Sequence, residues 1–133
     1  MTHQSSAAQK SCLVAVLILS VCLVQCIQSK TTEEWKKMSI YQLLTDRFAR
    51  TDGKTDDCPD YLTQMKYCGG TWVGIKNNLK YIKDMGFDAI WISPVWKNLP
   101  NAFHGYSISD LYKLNDHFGT DQDFKDMITA AHA

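Results

Sequence analysis

Downstream of Ser39 the chain shifts between two rhythms of apolar and polar positions. Ser39–Phe48, SIYQLLTDRF, is an apolar run of β-compatible residues and predicts a first strand. Thr71–Met85, TWVGIKNNLKYIKDM, instead places Ile75, Leu79, Ile82 and Met85 at helical spacing, with polar residues on the other face. Thr71 is suited to cap that helix and Gly86 to stop it. Phe87–Ser93, FDAIWIS, predicts a second buried strand, ended by Pro94. A second helix begins at Thr120, with Phe124, Met127, Ile128 and Ala131 along one side. Asp121 and Asp123 in its first turn favour the positive end of the helix dipole. Lys30–Met38 is a polar approach to the first strand.

The order strand, helix, strand, helix argues for parallel pairing and the α/β class. Two strands cannot close a parallel sheet, whose faces and edges need covering. The end of the chain just after the second helix therefore reads as an interruption. Connections after strands in such units usually run about 2–6 residues. Here they span Ala49–Gly70 and Pro94–Gly119, both leaving carboxyl ends of strands. The opposite connection is essentially Gly86. Long loops on one face and short ones on the other are what a (β/α)8 barrel enzyme requires, because its site is built at the carboxyl ends.

The first thirty residues are of another character. Cys12–Ile27, CLVAVLILSVCLVQCI, is almost wholly apolar, yet short against the roughly 20 residues of a bilayer span. It predicts a secretory leader over residues 1–29, cleaved between Gln25 and Lys30, with an uncleaved signal anchor as the other reading. Residues 30–133 then form the folded part, a secreted chain without membrane association once the leader is removed. Cys12, Cys22 and Cys26 leave with the leader. Cys58 and Cys68 remain, expected to pair in an oxidising compartment and to stay free thiols in an intracellular chain. No His or Cys lies at ligand spacing from them, so no metal site is assigned. With 14 basic and 14 acidic residues and no basic stripe, nucleic acid is not an expected partner.

The second long loop carries the densest pattern: FHGYSISDLYKLNDHFGTDQDFKDMITAAH, a polar-aromatic loop leading into the capped helix. Together with IYQLLTDRFAR, YCGGTWVGI and YIKDMGFDAIWISPV, in this order, it resembles the N-terminal segments of secreted fungal-type members of the α-amylase family of glycoside hydrolases. The resemblance covers nearly all of Trp35–His132. It implies the N-terminal portion of a (β/α)8 TIM barrel, incomplete, with two βα units and long βα loops. It implies a parent enzyme that hydrolyses internal α-1,4-glucosidic bonds of starch, glycogen and maltooligosaccharides with retention.

Site residues follow position by position. Tyr106 is similar to the family tyrosine that stacks on the sugar at the cleavage subsite, and a flat ring suits the apolar C–H face of glucose. His104 resembles the family histidine that hydrogen-bonds that sugar, and an imidazole both donates and accepts. Gln64 matches a substrate-contacting glutamine, displaced by one residue through Met65. Many relatives carry Trp after the HGY triplet, where this chain has Ser107. Asp46 and Arg47 read as a structural ion pair, Asp110, Asp121 and Asp123 as loop or helix carboxylates, and Trp91 and Trp96 as core and loop packing.

Retaining glycosidases use two carboxyl groups about 5 Å apart. In this family they lie on later strands, and the calcium-ligating block follows His132. No catalytic residue and no metal ligand is therefore assigned within the chain, and calcium is an expectation for the full-length parent alone. Two other readings compete with the amylase. One is a membrane-anchored, non-catalytic amylase-like transporter subunit; the other is an oligosaccharide-specific α-glucosidase. A non-catalytic subunit has no need of a sugar-stacking triplet.

Overall fold

The computed structural model describes residues 29–55, 58 and 66–133. Cys12, Cys22, Cys26, Gln64 and the expected leader over residues 1–29, Ser29 aside, lie outside the described residues. The chain divides into two units, Met1–Lys37 and Met38–Ala133. In the first, the polar approach contains a short helix, α1 (Thr32–Trp35), which apolar periodicity did not predict. Its signal was present: Thr31 and Glu34 form a capping box, each side chain bonding the other's backbone N–H.

The second unit starts with strand β1 (Ile40–Leu43). The expected strand over Ser39–Phe48 is thus too long, because Thr45–Phe48 forms a single helical turn, α2. The turn closes when Arg47 N donates to Leu44 O at 3.0 Å, and Asp46 is then drawn into tertiary hydrogen bonds. Apolar content alone cannot separate four strand residues from one helical turn. The expected single helix is two, α3 (Trp72–Asn77) and α4 (Leu79–Asp84). They meet at Asn78, whose Nδ2 donates to Gly74 O at 2.8 Å. Thr71 caps α3 as expected, accepting from Gly74 N, and Gly86 ends the helical segment at φ +90°.

Strand β2 (Ala89–Ile92) runs parallel to β1, with Ile40 opposite Ala89 and Leu43 opposite Ile92. Both strands therefore end on the same side, and both long loops leave from it. The ends are laced together there: Thr45 N donates to Ser93 Oγ at 3.0 Å, and Ser93 Oγ to Thr45 Oγ1 at 3.1 Å, all buried. The core below them gathers Leu43, Trp72, Ile75, Ile82, Phe118 and Met127. Trp72 packs edge-on against Phe118 at 5.9 Å and tilted against Phe124 at 4.9 Å. Burying each such side chain contributes about 1.5–3 kcal/mol.

Trp91 is not core. Strand alternation sends Ile90 and Ile92 to the cluster and leaves Trp91 59% exposed on the other face. Beyond β2 the expected loop holds a hairpin, β3 (Trp96–Asn98) with β4 (Ile108–Leu114), antiparallel and irregular in register. Sequence reasoning missed it, since ISDLYKL lacks an apolar-polar alternation. Asn115 then caps a 3-10 turn, Asp116–Phe118. The last helix, α5 (Asp121–Ala131), starts at Thr120 as expected, with a full Thr120–Asp123 capping box. Its inward side centres on Met127 and Phe124, while Ile128 and Ala131 are exposed. The α/β class and the two βα units stand, with long connections at the carboxyl ends of both parallel strands.

Candidate functional site

The loop joining β3 to β4 carries His104 and Tyr106, and its shape follows from a few local bonds. Leu99 N donates to Ser107 O, Ala102 N to Leu99 O, and Gly105 N to Ala102 O, curling residues 99–107 into consecutive tight turns. Gly105 sits at φ +87°, and a Cβ there would meet Pro94 O at 2.6 Å, so the turn needs glycine both for conformation and for room. Asn98, buried, fastens the loop base: its Oδ1 accepts from Ser107 N at 2.8 Å and its Nδ2 donates to Trp96 O at 2.7 Å. Ser107 thus acts through its backbone at this point.

Inside the loop, Tyr106 N donates to His104 Nδ1 at 3.0 Å. That bond makes Nδ1 the acceptor, so in neutral His104 the proton resides on Nε2, which becomes a donor. The two rings lie 5.9 Å apart and nearly parallel, at 22°. Tyr106 is 59% exposed, while its neighbour Phe103 is only 7% exposed. Phe103 meets the His104 ring edge-to-face at 5.5 Å. The structure therefore brings His104 and Tyr106 together as one surface, an open aromatic face beside an imidazole donor.

A second set of groups braces this loop from behind. Tyr67 Oη donates to Ala102 O at 3.4 Å and accepts from Asn115 Nδ2 at 3.1 Å. Its ring stacks on His117 at 3.8 Å. Burial pushes the Tyr67 hydroxyl above its ordinary pKa, against the opposing Asn115 hydrogen bond. Sequence reasoning missed Tyr67, Asn98 and Asn115 as part of the site. The available signal was weak, since an asparagine in a loop reads as a turn residue and its burial is not visible in sequence.

Cys58 and Cys68 are joined in a disulfide. Asp46, fully buried at its side chain, accepts from Cys68 N at 2.8 and 3.0 Å and from Gly69 N at 3.2 Å. It also pairs with Arg47 Nε at 2.9 Å, the ion pair expected from sequence. Burial raises the Asp46 pKa, opposed by the two amides and by Arg47. The other expected structural carboxylates behave as such: Asp110 accepts from Tyr112 N, and Asp123 from Thr120. Asp121 opens α5.

Chemically, this surface can stack a flat polyol and donate to its hydroxyl groups. Among the described residues, no three of His, Cys, Asp and Glu gather as metal ligands. Among the described residues no helix is long and apolar enough to cross a membrane. A groove of about 650 Å³ lies elsewhere, beside α4, the start of β2 and the end of α5, with Leu79, Ile82, Phe87 and Ile90 in its wall. It sits at the amino end of β2, away from the loop chemistry.

Comparison with known proteins finds close similarity to alpha-amylases. A family model described as alpha amylase, catalytic domain, matches residues 42–133. The chain is 50% identical over 125 residues to Alpha-amylase 3 of Schizosaccharomyces pombe, a match covering 88% of this chain and 22% of that protein. It is 42% identical over 135 residues to the alpha-amylase of Saccharomycopsis fibuligera, covering 97% and 27%. Among solved structures, an alpha-amylase from Malbranchea cinnamomea superimposes with a TM-score of 0.70 at 46% identity, over 77% of this chain and 23% of that one. An alpha-amylase from Geobacillus thermoleovorans, solved in complex with acarbose, gives a TM-score of 0.65 at 39% identity, over 78% and 21%. The chain thus spans 21–27% of the length of these relatives.

Proposed function

The chain belongs to the alpha-amylase family of glycoside hydrolases, and we propose that it supplies part of the glucan-contacting surface in a retaining hydrolysis of internal α-1,4-glucosidic bonds of starch and glycogen. The observation that carries this reading is the His104–Tyr106 surface: an exposed ring beside an imidazole whose Nδ1 is already engaged. Tyr106 would stack on the C–H face of a glucose ring, and His104 Nε2–H would donate to a hydroxyl oxygen. Orientation of the sugar is the contribution of these two residues. Bond cleavage needs two carboxyl groups about 5 Å apart, and no residue of this chain is assigned to that pair. Gln64 is a third candidate contact on the strength of its motif, and calcium belongs to the longer parent. Residues 1–29 are proposed as a secretory leader, so that secreted material begins between Cys26 and Thr31, which N-terminal sequencing tests.

The direct test grafts residues 42–133 onto the remainder of a full-length fungal relative and assays soluble starch. Tyr106→Ala removes the ring and should lower kcat/KM by roughly tenfold to a hundredfold, the equivalent of about 1–3 kcal/mol for one aromatic platform. Tyr106→Phe keeps the ring face and should be milder. His104→Ala should cost a comparable factor by leaving a sugar hydroxyl unpaired. The 133-residue chain alone should show no turnover. Full activity in Tyr106→Ala removes the stacking role, and turnover by the chain alone shows that the chemistry has been misplaced.

A further inference from the structure

Arg47 occupies an unusual junction. Its Nε lies 2.9 Å from Asp46 Oδ2, its Nη1 donates to Cys58 Sγ at 2.9 Å, and its Nη2 donates to Lys66 O at 2.8 Å. The flat face of the same guanidinium covers the Phe103 ring at 3.7 Å from its centroid. One side chain, 20% exposed, therefore touches Asp46 in the turn α2, Cys58 and Lys66 at the two ends of the disulfide loop and the residue immediately before His104. From Phe103 the contacts continue edge-to-face to His104, and from His104 in near-parallel stacking to Tyr106.

We propose that Arg47 is a positioning residue for the sugar-contacting loop, coupling the Cys58–Cys68 loop to His104 and Tyr106 through its stack on Phe103. The proposal rests on the reading of His104 and Tyr106 as glucan contacts. Its physical basis is the shape of the guanidinium. Two edges of the planar fork donate to Cys58 Sγ and Lys66 O while Nε faces the Asp46 carboxylate as an ion pair, and this fixes the direction of the face. A cation over an aromatic face attracts the ring quadrupole, more strongly where water is excluded. Phe103 is 7% exposed, so it cannot follow solvent-driven rotations and passes its orientation to the next residue. The disulfide matters because it holds Cys58 Sγ, one of the two acceptors, at a fixed point against Cys68. Lysine keeps the charge but has neither the fork nor the face. The Tyr67–Ala102 hydrogen bond is a parallel strut on the same loop, so losing Arg47 should loosen the loop without dismantling it.

Amide hydrogen exchange on the grafted enzyme tests the coupling. In Arg47→Lys the amides of residues 102–107 should exchange about threefold to thirtyfold faster, the range of one cation–π contact, while α5 amides stay unchanged. Phe103→Leu should act alike, Phe103→Tyr should stay near wild type, and the Arg47→Lys/Phe103→Leu pair should add nothing to either single change. Replacing both cysteines by alanine should accelerate the same amides. Unchanged loop amides, or equal acceleration in α5, overturn the proposal, since the second outcome marks a purely structural role. If Arg47→Lys does not fold, the contrast between Phe103→Leu and Phe103→Tyr decides. In the grafted enzyme Arg47→Lys should lower kcat/KM severalfold, and should lower it no further in a Tyr106→Ala background. An Arg47→Lys enzyme at wild-type kcat/KM beside a crippled Tyr106→Ala sinks this proposal and spares the glucan reading. Indifference to Tyr106→Ala sinks the glucan reading and leaves the exchange result standing.

Discussion

Gly70→Ala tests how tightly the chain just after Cys68 is pressed onto the helical turn α2. A Cβ on Gly70 would lie far inside contact distance of Thr45 O and of the Asp46 carbonyl carbon and oxygen. These obstacles are backbone, and they are pinned. Gly70 N donates to Asp46 O at 2.9 Å, while the Asp46 carboxylate holds the amides of Cys68 and Gly69. Relief requires the two segments to separate by about an ångström or more. Strain from such overpacking typically costs about 1–3 kcal/mol. Loss of the Gly70–Asp46 hydrogen bond adds about 0.5–1.5 kcal/mol, and weakened bonds to the carboxylate add more. Against this, removing a glycine from the unfolded chain stabilises by about 0.4–1 kcal/mol. The steric effect wins, and a net loss of about 2–4 kcal/mol is expected. For a domain of this size that lowers Tm by roughly 10–30 °C. The assay is a thermal melt followed by far-ultraviolet circular dichroism, wild type against Gly70→Ala. Gly69→Ala serves as the comparison, because Gly69 sits at φ +85° with no atom nearer than 3.8 Å and should lose only about 1–2 kcal/mol to backbone strain. A neutral or stabilised Gly70→Ala refutes tight packing at this junction.

Cys68→Ser should destabilise by about 3 kcal/mol on the chain-entropy account for so short a loop, measured by urea unfolding, and non-reducing peptide mapping should recover Cys58 linked to Cys68. Thr120 hydrogen bonds hold Asp123 below the ordinary carboxylate range. Its contribution should therefore be complete above its unfolded pKa, about 3.9, and fade as pH falls through the lower folded value. An Asp123→Asn variant should show a flatter urea-midpoint curve across that acid limb, and an unchanged slope counts against the capping role. Asp46 has the opposite sign: burial raises its pKa, so its term favours folding most below the unfolded value and weakens as pH rises. The advantage of wild type over Asp46→Asn should accordingly be larger in acid than at neutral pH, and a gap that widens towards neutrality contradicts this sign.

Local chemistry carried much of this fold into the sequence. Thr71 and Thr120 cap helices because a side-chain oxygen meets a free backbone amide a few residues on, a relation written within one turn. Gly86 ends its helix for an equally local reason, its positive φ. The cysteine pair and the alternation of parallel strands with helices were legible for the same cause: their meaning depends on type and spacing. Other features were decided over distances that a one-dimensional pattern does not encode. Thr45–Phe48 is a helical turn whose Asp46 carboxylate is held by amides more than twenty residues away, a partnership that local sequence does not show. Trp91 faces outward because the core lies on the side of Ile90 and Ile92, a choice that alternation permits in either sense. The β3–β4 hairpin arises from cross-strand partners without a periodic signature. Arg47 reads in sequence as the neighbour of Asp46, and meets both the disulfide and the loop that carries His104 and Tyr106 only when Cys58, Lys66 and Phe103 converge on one guanidinium. Residue type and short-range spacing set the elements and the candidate chemistry, whereas convergence in space, driven by packing rather than by propensity, sets which side chains share a site.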